Sequence, residues 1–224
     1  MKHYAGIDAG STYVKVVMMD ENKSLLGYRI TPTGTDAPRA STESLEALCR
    51  DLNISIPDVF SVISTGYSRR MIDIAHENVT EIKAHGAGAQ WTAPQEAKVR
   101  TVIDIGGQDC KVIIINEEGE VENFVMNDKC AAGTGRFLEA VARIIGVGIE
   151  RLGPLSLEAN VPCRINSTCV VFAESEMISL LARKEDPVDI IAGIHASMSK
   201  RISGMARKAG LKSDVLVTGG GGLN

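Results

Sequence analysis

The sequence predicts an α/β protein whose two halves are built on the same plan. Strand-like and helical patterns alternate along the chain, and each half opens with apolar strands joined by a glycine turn. A short motif also recurs with the same spacing in the two halves. With 224 residues, of which 44% are hydrophobic, the chain can build a sizeable core without disulfides.

The first half is predicted to be three β-rich segments followed by alternating helices and strands. A helix is expected over residues 42–52, with Ser41 or Thr42 as its N-cap, because these hydroxyls precede an apolar periodic stretch. Strands are predicted over residues 3–8, 13–19, 24–31 and 59–64, with a short helix near 68–76, a short strand over 79–82 and a helix over 83–92.

Pro94 marks a break, which divides the chain into an N-terminal lobe (1–94) and a C-terminal lobe (95–224). By symmetry with the first half, a helix, a strand and a closing helix are missing after Asn224, so a truncated C-terminal lobe is expected. The elements predicted for this lobe are strands over 101–103, 110–116 and 121–127, helices at about 134–146, 171–183 and 187–209, and a last strand over 215–217.

The repeated motif is Asp-x-Gly followed by a lysine. It starts at Asp8 in the first half and at Asp104 in the second, and the lysines are Lys15 and Lys111. In both copies the motif follows one apolar strand and precedes another. A single Asp-x-Gly is common by chance, but a pair in matching contexts indicates an internal duplication.

Composition excludes several classes of function. The chain has 24 basic and 28 acidic residues, a net charge of −4, which argues against a sequence-independent nucleic-acid binder. No apolar run approaches the roughly 20 residues of a membrane span, and the polar start is unlike a signal peptide. We therefore expect a cytoplasmic protein that engages neither nucleic acid nor membrane.

The glycine turns suggest phosphate binding. Glycine lets backbone amides approach a ligand, and successive amides in such a turn form an anion site. Asp8 and Asp104, facing each other across a cleft, would hold Mg²⁺ through water. The glycines at 219–222 would let a nucleoside approach the backbone. The alternative is that Asp and Gly serve as ordinary turn formers.

This arrangement resembles the superfamily of acetate kinase, sugar kinases, heat-shock chaperones and actin. The resemblance implies an actin-like (ribonuclease H-like) ATPase fold, with two lobes around a nucleotide cleft and bound ATP or ADP with Mg²⁺. No P-loop motif is present. The implied cofactor-binding residues are Gly10, Ser11, Thr12, Tyr13, Val14 and Lys15 in the first phosphate motif, Gly106 and Gly107 in the second, and Gly219 and Gly220 in the adenosine motif.

Two of the five cysteines, Cys130 and Cys169, each precede a predicted helix. Helix N-termini favour a thiolate, and thiolates are the ligands of iron–sulfur clusters. Two cysteines cannot complete a four-iron cluster, but a twofold dimer would supply four. The alternative is that each is a small buried hydrophobic residue. With no CxxC motif and only four histidines, a zinc site within one chain is not expected.

The residues around these cysteines, 127–138 and 169–176, resemble the activator components of 2-hydroxyacyl-CoA dehydratases, whose relatives are the ATP-binding subunits of benzoyl-CoA reductase. The resemblance covers essentially the whole chain. It implies a homodimer that holds one 4Fe-4S cluster between its subunits, with Cys130 and Cys169 as ligands. Cys49, Cys110 and Cys163 have no counterpart in this pattern, and we interpret them as core or surface thiols.

The function implied by the resemblance is ATP-driven electron transfer. Ferredoxin or flavodoxin would reduce the cluster, and the electron would pass to a partner dehydratase, or a related reductase, in an anaerobic cytoplasm. Asp8 and Asp104 would organise Mg²⁺ and water, and Gln108 would orient the attacking water through its amide. The acyl-CoA substrate and the electron donor stay open.

Two other classes of function remain. The first is a small-molecule kinase of the same superfamily, which would need a carboxylate base; Glu81 and Asp109 are the candidates. The second is a nucleotide-dependent switch without a cluster. Phosphorylation of a small acceptor by iron-free protein would favour the kinase, and ATP binding without iron or an acceptor would favour the switch.

Overall fold

The computed structural model describes residues 2–94, 96–127, 132–165 and 170–224. Contacts between residues divide the chain into two compact units, Met1–His85 and Gly86–Asn224. This division falls within a helix that spans Glu81–Thr92. The lobe boundary at residue 94 stays a prediction.

The first unit contains a five-stranded sheet. Its strands are β1 (His3–Ala9), β2 (Tyr13–Asp20), β3 (Leu25–Pro32), β4 (Val59–Thr65) and β5 (Glu77–Asn78). They lie in the order β3-β2-β1-β4-β5. The first three strands pair antiparallel, whereas β4 runs parallel to β1 and β5 runs parallel to β4.

Alternation along the strands builds the core of this unit. Val14, Val16 and Met18 of β2 are buried and the residues between them are exposed, because successive side chains of a strand point to opposite faces. Helix α1 (Ala37–Asp51) packs Leu45, Leu48 and Cys49 into the same cluster. Cys49 is 2% exposed, so of the two alternatives left open for it, core or surface thiol, the structure shows the first.

The predicted N-cap of α1 is wrong. The helix begins at Ala37, and the cap is Asp36, whose carboxylate accepts a 3.0 Å hydrogen bond from the Arg39 N–H. Ser41 and Thr42 lie within the helix and donate their hydroxyl hydrogens to carbonyls one turn earlier. Hydroxyls that bond back to the helix in this way give the same sequence pattern as a cap.

Two further predictions in this unit are wrong. The helix expected near 68–76 is one 3₁₀ turn, Arg69–Met71, because the chain then returns to the sheet, where the His76 N–H bonds to the Val62 carbonyl. The strand expected over 79–82 is β5 at Glu77–Asn78. Helix α2 (Glu81–Thr92) follows at once, because the Thr80 hydroxyl accepts from the Lys83 N–H.

The second unit repeats the sheet of the first. Its strands are β6 (Thr101–Ile105), β7 (Cys110–Ile115), β8 (Val121–Asn127) and β9 (Val215–Thr218). Their order is β8-β7-β6-β9, with antiparallel β8-β7-β6 and a parallel β6-β9 pair, which matches β3-β2-β1-β4 in order and direction. This match supports the duplication inferred from the motif.

Beside the greater part of α2, the described residues of this unit form helices α3 (Gly135–Ile145), α4 (Ile149–Ser156), α5 (Val170–Ala182) and α6 (Pro187–Ala209). The long α6 begins after the N-cap Asp186, ends with the C-cap Gly210 and packs on β7 and β8. Helix α4 was not predicted; it contains Pro154, and Leu152 anchors it in the core.

Within the described ranges, no helix combines the length and the apolar character needed to cross a bilayer.

Candidate functional site

In the first unit, the repeated motif places Asp8 and Lys15 directly opposite each other on β1 and β2. The Lys15 ammonium lies 2.6 Å from the Asp8 carboxylate, and the lysine side chain is 51% exposed. A solvent-exposed ion pair of this kind contributes little to stability. The exposed ammonium is therefore available to an anionic ligand at the turn between the two strands.

Two carbonyl groups of the turn between β1 and β2 accept hydrogen bonds from Thr33. The Thr33 hydroxyl donates to the Gly10 carbonyl at 2.8 Å, and the Thr33 N–H donates to the Thr12 carbonyl at 3.0 Å. A Cβ at Gly10 would lie 2.8 Å from the Tyr13 carbonyl oxygen, so the tight turn requires glycine there. Because these carbonyls already accept hydrogen bonds from the protein, the turn offers a ligand mainly hydrogen-bond donors.

Buried hydroxyls lie beside this turn. The Thr12 Oγ1 and Thr65 Oγ1 atoms are buried and have no hydrogen-bond partner among the described residues. Thr65 is the cross-strand neighbour of Asp8. A buried hydroxyl without a partner is costly, and such groups often mark a site where a ligand, water or ion completes the bonding.

Gly66 is a functional candidate that the sequence analysis missed. Its φ of +89° lies in the left-handed region, and a Cβ there would be 2.5 Å from the Asp8 carboxylate. The glycine thus lets the end of β4 approach Asp8 closely. The pair Thr65-Gly66 corresponds to Thr218-Gly219 in the second unit, and this second repeat was the signal that could have identified it.

In the second unit, the same motif is buried. Asp104 and Lys111 are again directly opposite, on β6 and β7. The Lys111 ammonium lies 3.0 Å from Asp104 and 2.7 Å from Asp109, and its side chain is 1% exposed. One buried ammonium thus contacts two carboxylates.

Asp104 is also bound from the end of β9. The Thr218 hydroxyl donates to Asp104 Oδ1 at 2.9 Å, and a Cβ at Gly219 would lie 2.8 Å from the same oxygen. The φ of Gly219 is +83°, close to that of Gly66. The structure therefore brings Asp104 and the predicted adenosine glycine together within one unit.

The tip of the second hairpin is exposed. The Gly106 N–H donates to the Asp109 carbonyl at 2.9 Å and closes the turn, which leaves Gly107 and Gln108 in solvent. This placement is compatible with the predicted role of Gln108 toward a bound water. Asp109 is buried and paired with Lys111, so it does not provide the accessible base that a kinase would need.

The glycine segment after β9 forms a 3₁₀ turn over Gly220–Leu223. The residue that follows it is hydrogen-bonded to helices α4 and α6. The side chain of Asn224 donates to the Ile149 carbonyl and lies 2.7 Å from the His195 ring. A Cβ at Gly220 would meet no atom within 4 Å, so open space adjoins this predicted adenosine contact.

Tyr13 and Val14, two other predicted contacts, differ in placement. The Tyr13 side chain is half exposed, whereas Val14 is fully buried in the core. Only the backbone of Val14 can therefore face a ligand.

The predicted cluster ligands Cys130 and Cys169 lie outside the described residues. Cys110, interpreted from the sequence as a core or surface thiol, is a core thiol in the structure. Burial, with the nearby Asp104 charge, raises the pKa of the Cys110 thiol to about 11. Burial also raises the pKa of Cys163. Neither environment favours the thiolate that metal binding requires.

Comparison with known proteins identifies relatives along the whole chain. Residues 5–224 match the model of the BadF/BadG/BcrA/BcrD ATPase family. The (R)-2-hydroxyglutaryl-CoA dehydratase activating ATPase of Acidaminococcus fermentans is 42% identical over 218 residues, which cover 96% of this chain and 81% of the relative.

Two solved structures are similar to the chain. Component A of the A. fermentans dehydratase superposes with a TM-score of 0.91 at 39% identity and covers 100% of this chain and 85% of its own. The activator of the 2-hydroxyisocaproyl-CoA dehydratase from Clostridium difficile, with bound ADPNP, superposes with a TM-score of 0.87 at 39% identity. The match covers 99% of this chain and 81% of that activator. The predicted actin-like α/β fold is thereby confirmed.

Proposed function

The chain belongs to the BadF/BadG/BcrA/BcrD ATPase family, and we propose that it is an ATP-hydrolysing, iron–sulfur electron-transfer activator of a 2-hydroxyacyl-CoA dehydratase or a related acyl-CoA reductase. The observation that carries this proposal is the duplicated hairpin. Each copy combines an Asp–Lys pair with a Thr-Gly step, in a chain 42% identical to a dehydratase-activating ATPase.

The hairpins fit a nucleotide with its magnesium ion. A Cβ at Gly10 or at Gly106 would lie less than 3 Å from a neighbouring oxygen, so both tight turns require glycine. The buried hydroxyls of Thr12 and Thr65, which have no partner among the described residues, supply donors beside the first turn. Lys15, Ser11 and the turn amides would bind phosphate oxygens. Asp8 and Asp104 would hold Mg²⁺, which prefers carboxylate and water oxygens. Gly219 and Gly220 would adjoin the adenosine.

Gln108 would orient the water that attacks the terminal phosphate. Its amide lies on an exposed tip and can both donate and accept hydrogen bonds. An amide is a very weak base, so it positions the water and does not remove its proton. Slow hydrolysis in the absence of the partner protein follows from this.

Cys130 and Cys169 would ligate the 4Fe-4S cluster. Cysteine thiolate is the usual ligand of such clusters, and two cysteines per chain supply four in a homodimer. When bound, the cluster supplies one-electron transfer. The protein's own part is to bind nucleotide at the hairpins, to hold the two thiolates and to present them to the partner. Ferredoxin or flavodoxin would be the donor, in an anaerobic cytoplasm.

The experiment that tests this function reconstitutes electron delivery under anaerobic conditions. The protein is mixed with a purified, inactive 2-hydroxyacyl-CoA dehydratase, a chemical reductant and MgATP, and dehydration is followed. We expect turnover that requires both ATP and reductant and is lost with Cys130→Ser and Cys169→Ser, whereas Cys163→Ser retains it. Turnover that persists in the Cys130 and Cys169 variants, or without ATP, would contradict the proposal.

A further inference from the structure

Helix α3 begins against the hairpin that joins β6 to β7. The Gly135 N–H donates to the Gly106 carbonyl at 2.8 Å, and the Arg136 N–H donates to the Gly107 carbonyl at 2.9 Å. N–H groups in the first turn of a helix have no acceptor within the helix, and a side chain at the N-cap usually satisfies one of them. Thr134 makes no side-chain cap here. The hairpin backbone therefore caps α3.

This cap fixes the direction of two peptide planes. In a planar trans peptide the carbonyl and the N–H point in opposite directions. Because the Gly106 and Gly107 carbonyls point toward α3, the N–H groups of Gly107 and Gln108 point away from it. Both residues are exposed, and among the described residues neither N–H takes part in the backbone bonds of the hairpin. Two adjacent outward N–H groups are suited to phosphate oxygens.

The close approach depends on the glycine at position 135. A Cβ there would lie 3.3 Å from the Gly106 oxygen and 3.4 Å from the Gly107 Cα, both of which are backbone atoms. The hairpin would have to move by a few tenths of an ångström. By contrast, a Cβ at Gly204 on α6 would meet nothing within 4 Å, so that position provides a matched control.

We propose that Gly135 and Arg136 are positioning residues, whose backbone N–H groups hold the Gly107 and Gln108 amides toward the phosphates of the nucleotide. This inference rests on the proposed function, in which the hairpin binds phosphate. Coupling of this kind is reciprocal, so bound phosphate stabilises the first turn of α3.

Two variants disturb the cap in different ways. Gly135→Pro removes the N–H while leaving a residue that is favoured at the first position of a helix. Gly135→Ala retains the N–H and pushes the hairpin by its methyl group. Binding of a non-hydrolysable ATP analogue and of adenosine is measured by calorimetry. We expect both variants to lose about 5- to 10-fold in affinity for the analogue, as for one hydrogen bond, with adenosine affinity unchanged. Gly204→Ala should match the wild type in both.

Hydrogen exchange gives a readout that a merely structural role would not change. In the wild type and in Gly204→Ala, the ATP analogue should slow amide exchange in the first turn of α3, and in Gly135→Pro it should not. Equal loss of analogue and adenosine affinity, or unchanged analogue affinity in both variants, would overturn the inference. If Gly135→Pro does not fold, Gly135→Ala alone decides the affinity test. A wild type that binds neither ligand would instead refute the proposed function and this inference with it.

Discussion

The buried ammonium of Lys111 donates a 3.0 Å hydrogen bond to Asp104, which lies directly opposite on the neighbouring strand. Lys15 pairs with Asp8 in the same register but is half exposed. The duplicated lysines have therefore diverged in role. Lys15 faces solvent at its turn and can meet a phosphate, whereas Lys111 is held between carboxylates within its own unit.

Replacing Lys111 should destabilise the fold strongly. Lys111→Met removes the ammonium that pairs with the buried Asp104 and Asp109 carboxylates, and removing one partner of a buried ion pair typically costs about 3–5 kcal/mol. Urea unfolding at neutral pH measures this loss. Lys15→Met is the matched control, because loss of an exposed pair costs at most about 1 kcal/mol. Similar losses in the two variants would contradict this assignment.

Gly66→Ala should reduce the free energy of unfolding by more than the strain of a left-handed backbone conformation alone. Gly34 has a φ of +62°, and a Cβ there would meet nothing within 4 Å, so Gly34→Ala isolates the backbone strain, about 1 kcal/mol. At Gly66 the added methyl group would also collide with Asp8. We expect Gly66→Ala to lose clearly more unfolding free energy than Gly34→Ala and to weaken ATP binding. Equal effects would show that the approach to Asp8 is unimportant.

Gln108→Ala should reduce ATP hydrolysis more than ATP binding, because an amide that orients water acts on the attacking group and contributes little to nucleotide affinity. The rate of hydrolysis is measured by steady-state phosphate release, and binding is measured by calorimetry with an ATP analogue. Gln90→Ala, at an exposed position on α2, should change neither. A parallel loss of binding and hydrolysis in Gln108→Ala would refute the water-orienting role.

Cys110 should make stability fall at alkaline pH. Its thiol has a pKa of about 11 in the folded protein against 9.0 as the ordinary value, because burial disfavours the thiolate. The unfolded chain therefore releases the proton first as pH rises, and stability is lost between about pH 9 and pH 11. Unfolding measured across this range should show a steeper decline for the wild type than for Cys110→Ala. Parallel declines would mean that Cys110 is not the cause.

Strand β2 could be predicted because its alternation of buried and exposed residues is a local property. The paired Asp–Lys motifs could be found because their spacing is the same in both halves of the sequence. The functional role of Gly66 could not be predicted in this way, since it depends on β4 lying parallel to β1, a contact between distant segments. The cap at Asp36 was missed for a local reason: serine and threonine inside α1 give the same signal as a cap.

The most direct test of the central claim is the iron and acid-labile sulfide content of anaerobically purified protein, with Cys130→Ser alongside. We predict about four of each per dimer, as one 4Fe-4S cluster requires, and their loss in the variant. An intact, dimeric, ATP-binding protein that holds no iron even after reconstitution would contradict the electron-transfer function and favour a kinase or a nucleotide-dependent switch.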